Sequence, residues 1–354
     1  MKNLAESDAA KGCAGQRPVV IWFAIRKCRN VKNTILAMMF AAMFCNAVCG
    51  EANLAGRQKR VFTADTKIQE IVSAPAFDGF GRLLFPVNRS YWSGDTPGTL
   101  RLAWYSEIRP ATTVAVLNRL HSDALAGRKV FYPIYTEEET SKNAAKRDTG
   151  LFFFRGRQGA RFAVCNAGGG FAYVGAMHDS FPHALALSER GINAFALIYR
   201  PDAQAACEDL ARAISFIFTN ASELGVSTDG YSLWGGSAGA RMAAWVGSHG
   251  TEAFGEGRLP RPATVVMQYT GLSEWRRSDP PTYAVCGDSD GIAPWQVMKE
   301  RLDRMAKAGI PTRFRRASGL GHGFGLGLGT SAEGWLDEAY QFWMWQAREP
   351  SDRK

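Results

Sequence analysis

The feature that most constrains this chain is the run Gly235-Gly236-Ser237-Ala238-Gly239, placed directly after the apolar stretch Tyr231-Ser232-Leu233-Trp234. A serine between small residues, at a junction of strand and helix, can occupy a turn that bulkier neighbours would block. Its hydroxyl is then held at the C-terminal edge of a sheet, near the positive end of the following helix. This context makes Ser237 a candidate nucleophile. A nucleophilic serine needs a base, a carboxylate to orient that base, and donors for the oxyanion.

The carboxylate candidates come after the apolar strand Tyr283-Ala284-Val285-Cys286, in Gly287-Asp288-Ser289-Asp290-Gly291-Ile292. Asp290 is preferred because it lies in the loop beyond the strand, where it can reach back to a histidine. Asp288 is nearer the strand end and suits capping or supporting the loop, and aspartates in such loops are also ordinary turn formers. The base candidate is His322 in Gly319-Leu320-Gly321-His322-Gly323-Phe324-Gly325, the only one of five histidines in a glycine-rich loop between a strand and the last helix. His121 and His183 fall in helical patterns and read as surface or packing residues. His249 comes after the helix that begins at the serine and reads as a helix-end residue. His178 lies beyond the next motif, so it either lines the site or packs.

That motif is Asn166-Ala167-Gly168-Gly169-Gly170-Phe171, at the end of the strand Phe162–Cys165. Three glycines between a strand and a helix let backbone amides turn towards one point. With the Ala238 amide they would form an oxyanion hole. The rival reading, a phosphate-binding loop, lacks both Gly-Lys-Ser/Thr and Gly-x-Gly-x-x-Gly. No nucleotide or other cofactor is expected, and no Cys/His cluster has zinc spacing.

Around these motifs the chain alternates short apolar runs with amphipathic stretches. Strands are expected at 130–135, 151–154, 161–165, 193–199, 231–234, 264–269, 282–286 and 311–317. Helices are expected at 111–126, 179–190, 203–223, 238–248, 295–308 and 332–347, with a polar loop over Glu137–Asp148. The pattern predicts an α/β fold with a mostly parallel central sheet, helices on both faces and an antiparallel entry. Only Thr270–Pro281 separates two late strands, which leaves no room for a large cap there. Any cover must come from the N-terminal segment or the loop after Phe171. Phe171, Tyr173 and Trp275 are candidate pocket aromatics, although ordinary packing explains each equally well.

The formal charge of +9 is concentrated at the N-terminus. Residues 1–49 hold seven Lys/Arg and two acids, leaving 35 basic and 31 acidic residues beyond them. No basic helix or interleaved basic and aromatic tract appears, so nucleic acid is not an expected partner. Lys32, the apolar run Thr34–Cys45, and small residues at Ala47 and Gly50 have the layout of a secretory signal, so export to the periplasm or medium is expected. Val31 offers an alternative start for that signal. An uncleaved anchor would be the one route to a membrane, and Asn46-Ala47-Val48 is a poor lipoprotein box before Cys49. Four of the seven cysteines lie in or before this segment. Cys165, Cys207 and Cys286 are expected as free apolar thiols. The expected organisation is an N-terminal extension at 1–50, a segment at 51–128 placed to cover the site, a catalytic domain at 129–348 and a polar tail at 349–354.

The order glycine loop, Ser, Asp, His over residues 129–348 resembles the α/β-hydrolase superfamily. Within it, the chain is similar to secreted acetyl esterases and acetyl-xylan-esterase-like proteins, whose loop reads Pro-Gly-Gly-Gly-aromatic. Gly321–Gly325 followed by Gly334-Trp335 and Phe342-Trp343 adds to this likeness. The resemblance implies Ser237 as nucleophile, Asp290 as acid, His322 as base, and Gly169, Gly170 and Ala238 as oxyanion donors. The triad is specific to the fold and the substrate is not; the absence of room for a large cap and the expected export suit short acyl esters, acetyl first, on a soluble substrate such as an acetylated polysaccharide. Asn166-Ala167 departs from the family pattern, which leaves open which loop amides point inward. A small serine aminopeptidase and a non-catalytic binding protein are the alternatives on this fold.

Overall fold

The computed structural model describes residues 61–348. The signal-like segment, Cys49, the first residues of the 51–128 segment and the polar tail lie outside the described residues. Ten strands are described: β1 (Trp92–Ser93), β2 (Arg101–Leu102), β3 (Phe131–Tyr132), β4 (Gly150–Phe154), β5 (Arg161–Asn166), β6 (Asn193–Ile198), β7 (Ser227–Gly236), β8 (Thr264–Gln268), β9 (Thr282–Gly287) and β10 (Thr312–Ala317). The helices are α1 (Ile68–Val72), α2 (Pro110–Leu125), α3 (Glu137–Lys142), α4 (Ala176–Asp179), α5 (Phe181–Glu189), α6 (Ala203–Thr219), α7 (Ala221–Leu224), α8 (Ala238–His249), α9 (Trp295–Lys307) and α10 (Trp335–Gln346).

Eight strands form one sheet in the order β10-β9-β8-β7-β5-β6-β4-β3. β5 to β10 run parallel, whereas β3 and β4 enter antiparallel. β6 (NAFALI) and β9 (TYAVCG) are buried at every position. Such unbroken apolar runs are what a strand covered on both faces requires. The edge strand β10 (TRFRRA) instead carries three arginines, and a charged edge resists pairing with another chain. Helix α8 packs on β7 and β8 and against α6, α5 covers β4 to β6, and α9 and α10 close the β8–β10 side. Residues 61–128 share this core, where Phe80 meets Phe152 on β4 (ring centroids 5.8 Å apart) and Phe152 meets Phe181 on α5 (4.8 Å).

The elements depart from the periodicity in a few instructive places. The helix expected over 203–223 breaks at Asn220, whose side-chain amide donates to the Phe216 carbonyl at 2.8 Å and caps α6. The helix expected over 179–190 divides at Ser180, and Pro182 fits the first turn of α5, where its missing N–H costs nothing. The polar loop 137–148 holds α3, begun by a capping box in which Thr136 and Glu139 each accept the other's backbone N–H. Among the described residues, no helix is long and apolar enough to cross a membrane. Cys165, Cys207 and Cys286 are free and buried.

Candidate active site

β7 ends at Gly236 and α8 begins at Ala238, so Ser237 alone makes the turn. It does so at φ 50° and ψ −117°, a region that costs an L-residue on the order of 1–3 kcal/mol. The Ser237 N–H donates to the Gln268 carbonyl at 2.9 Å, which pins the turn to the end of β8. Close approach explains its small neighbours. A Cβ at Gly239 would lie 2.1 Å from the Asn166 carbonyl oxygen. The serine therefore stands partly exposed at the N-terminus of a twelve-residue helix.

His322 completes a relay to it. Its Nε2 lies 3.0 Å from Ser237 Oγ, and its Nδ1 lies 2.8 Å from Asp290 Oδ2. A carboxylate accepts, so Nδ1 carries the proton and Nε2 is left to accept from the serine hydroxyl. Asp290 is buried, and its Oδ1 also accepts the Ile292 and Ala293 amides at 2.8 and 2.9 Å. Burial alone would raise this carboxyl. The bonds from His322, Ala293 and Ile292, with attraction to the His322 ring, outweigh burial and hold it below the usual range. Asp288 has a different task, accepting the Gly319 amide at 2.7 Å and so tying down the start of the histidine loop.

The glycine loop flanks the serine. A Cβ at Gly168 would sit 2.8 Å from Ser237 Cβ. Gly169, Gly170 and Phe171 all have positive φ (125°, 63° and 58°), which coils the chain sharply beside the site. The Gly168 amide is turned inward onto Asp179 Oδ2 at 2.6 Å. Among the described residues, the amides of Gly169, Gly170 and Ala238 have no hydrogen-bond partner. At the position where the loop departs from the family pattern, Asn166 is fully buried and donates to the Trp234 carbonyl at 2.9 Å, joining β5 to β7 beneath the loop.

The other candidates from the sequence fall further out. His178 is buried and donates from Nε2 to the Gly323 carbonyl at 2.8 Å, so it supports the histidine loop from below. Burial pushes its ring down to about 4, against the pull of that bond. His121 packs on Phe62 and Phe77, His183 packs on Trp335, and His249 caps α8 by donating to the Trp245 carbonyl at 2.9 Å. Phe171 stacks on Trp245, Tyr173 is buried against Tyr91, and Trp275 lies half-buried in the 270–281 loop. A cavity of about 250 Å³, walled by Phe85, Tyr173 and Tyr199, opens beyond the glycine loop.

Residues 104–106 and Asp179 belong to the site and are not among the sequence candidates. The Ser106 hydroxyl donates to the His322 carbonyl at 2.8 Å, and its amide donates to the Gly323 carbonyl at 3.2 Å. Trp104 is 48% exposed and lies against Gly170. Tyr105 reaches Asp179 at 2.9 Å. A signal for these existed in the aromatic pair Trp104-Tyr105 within a weakly patterned stretch. Among the described residues, no cluster of three or more His, Cys, Asp or Glu is placed to hold a metal ion.

Comparison with known proteins gives the fold. A protein-family model described as BD-FAE matches residues 162–269, from β5 through the serine turn to the end of β8. Esterase 2 of Thermogutta terrifontis, phosphonylated by cyclosarin, superposes with a TM-score of 0.50 at 18% identity, covering 62% of this chain and 96% of that one. Its propionate-bound form gives a TM-score of 0.50 at 19% identity, covering 60% and 93%. MGS-M1, an α/β hydrolase from a Medee basin deep-sea metagenome library, gives 0.48 at 20% identity, covering 56% and 93%. No curated protein matches this chain. With its mainly parallel eight-stranded sheet, the chain has the α/β-hydrolase fold.

Proposed function

We propose that this protein is a serine esterase that hydrolyses short-chain carboxylic esters, acetyl esters first among them, through Ser237, His322 and Asp290. The observation that carries this reading is the unbroken relay Asp290–His322–Ser237, ending on a strained serine beside three amides that have no partner among the described residues. His322 Nε2 takes the Ser237 proton as Oγ attacks the ester carbonyl. Asp290 holds the Nδ1 proton and stabilises the imidazolium that results. The amides of Gly169, Gly170 and Ala238 receive the oxyanion. The imidazolium then protonates the departing alcohol, and a water activated by His322 releases the acid from the acyl-enzyme.

The proposed substrate is an acetylated carbohydrate. Two features support it. The 270–281 segment is short and carries no helix or strand, so nothing there roofs the serine. Trp104, half-exposed and leaning on Tyr91 and Tyr173 (ring centroids 5.8 Å in each case), presents an aromatic face next to the glycine loop, where a sugar ring could stack. Export through the 1–50 segment is part of the same proposal.

Acetate release from acetylated xylan and from peracetylated oligosaccharides, measured beside hydrolysis of acetate, butyrate and octanoate p-nitrophenyl esters, tests this reading. Acetate release with rates falling along the acyl series is expected. Strong octanoate hydrolysis with no acetate release would overturn it, as would cleavage of aminoacyl p-nitroanilides in preference to any ester.

A further inference from the structure

Asp179, at the C-terminal end of α4, is 2% exposed and has no part in the relay. Its carboxylate is nonetheless enclosed by donors from three separate parts of the chain. Oδ2 accepts the Gly168 amide at 2.6 Å and the Tyr105 hydroxyl at 2.9 Å, and Oδ1 accepts the Tyr269 hydroxyl. A Cβ at Gly236 would lie 2.4 Å from either carboxylate oxygen, so Asp179 presses on the residue before the serine. Tyr269 also packs edge-on against His322, with ring centroids 5.1 Å apart. Burial drives the Asp179 carboxyl up to about 6, against the bonds from Tyr269, Gly168 and Tyr105 and the attraction of His322.

A buried carboxylate is expensive, and an apolar residue would fill the same space at less cost to stability. What an apolar residue could not do is turn the Gly168 amide inward. With that amide committed to Asp179, the next one in the loop, that of Gly169, has no partner among the described residues and follows a glycine that closes on Ser237. We propose that Asp179 is a positioning residue for the reaction at Ser237, its carboxylate fixing the Gly168 peptide so that the Gly169 amide meets the oxyanion. The charge is met by three donors and drawn to the His322 ring, so it does not oppose the oxyanion unshielded. Tyr105 brings the 61–128 segment into this anchor. The inference rests on the serine-esterase reading.

The test compares wild type, Ser237→Ala, Asp179→Leu and Tyr105→Phe in steady-state hydrolysis of p-nitrophenyl acetate; leucine fills the space of the carboxylate but offers the Gly168 amide no acceptor. The same proteins are titrated with an aryl trifluoromethyl ketone, which adds to the serine as a tetrahedral oxyanion. Displacing one oxyanion donor by a fraction of an ångström is expected to lower kcat about 10- to 100-fold in Asp179→Leu and about 3- to 10-fold in Tyr105→Phe, with KM within about twofold. Ketone affinity should weaken by the same factors as kcat/KM. Lower thermal stability with unchanged kcat and ketone affinity in folded Asp179→Leu would overturn the inference, as would a loss confined to KM. If Asp179→Leu does not fold, Tyr105→Phe decides by the same criteria. Failure of the underlying reading looks different, because then wild type itself is inactive or Ser237→Ala retains its rate.

Discussion

Replacing Asp290 by asparagine removes one charge and almost no volume, and the local hydrogen bonds fix how the new side chain must lie. The Ile292 and Ala293 amides both donate to Oδ1, at 2.8 and 2.9 Å. An asparagine must therefore place its carbonyl oxygen there, which leaves its NH2 group at the Oδ2 position, facing His322 Nδ1. Two donors cannot share that 2.8 Å contact. His322 is driven to the other tautomer, with Nδ1 accepting and the proton on Nε2. Nε2 then points a hydrogen at Ser237 Oγ and cannot take the serine proton. Loss of the correct tautomer and of the charge that stabilises the imidazolium is worth about 10³- to 10⁴-fold in kcat, or about 4–5.5 kcal/mol of transition-state stabilisation. KM should change little, because the ester does not touch Asp290. Initial rates on p-nitrophenyl acetate at about pH 7.5, within the usual range of about pH 5–8 for maximal stability, with circular dichroism to verify folding, measure the effect. A folded Asp290→Asn protein within about tenfold of wild type, some 1.4 kcal/mol, would refute the tautomer argument.

Three further outcomes are expected. Arg301 and Asp279 form a buried pair (2% and 3% side-chain exposure, 2.7 Å), so Asp279→Ala should cost about 3–5 kcal/mol and lower Tm by about 5–8 °C. On the same helix the Glu300–Arg304 pair is exposed (65% and 54%), so Glu300→Ala should stay within about 0.5 kcal/mol by calorimetry, and equal effects would contradict both assignments. Burial lowers His178 to about 4 and His183 to about 3, whereas an unfolded chain protonates histidine near about 6.5. Both rings therefore contribute stability that is complete above about pH 6.5 and lost as pH falls towards about 4. Asp179, raised to about 6, works the other way over part of that range. Two histidines outweigh one carboxyl, so the urea midpoint should drop between about pH 7 and about pH 4.5, and a flat or rising midpoint would contradict this. Ser106→Ala frees the His322 carbonyl without touching the substrate, and should lower kcat several-fold at constant KM; an unchanged kcat would show that the histidine loop stands without this tie.

The residues that meet around Ser237 differ in how far they can be read from the chain. Ser237, Asp290 and His322 each sit in a short loop whose glycines and flanking strand announce a tight turn, and sequence separations of 32 and 85 do not blur that local signal. Asp288 against Asp290 is also decidable, since the longer reach into the loop separates a partner for histidine from a loop anchor. The parallel sheet is legible in runs such as Asn193–Ile198, apolar at nearly every position. Asp179 and Tyr105 carry no such mark. Their roles arise from contacts spanning 74 residues for Tyr105 and 90 for Tyr269, set by tertiary packing and not by spacing. Where a helix stops short of its periodic pattern, the side chain that ends it is visible in the sequence. Asn220 folds back on its own helix, and Pro182 restarts one. The capping box Thr136-Glu137-Glu138-Glu139 is likewise legible, but the surrounding charge makes the stretch look like loop.

The most direct measurement is hydrolysis of p-nitrophenyl acetate by wild type and Ser237→Ala, paired with mass spectrometry after exposure to a fluorophosphonate. Rapid turnover by wild type, its collapse in the variant, and one phosphonyl group on the peptide holding Ser237 are expected. Equal rates for the two proteins, or a phosphonyl group on any other residue, would contradict the assignment of Ser237 as the nucleophile.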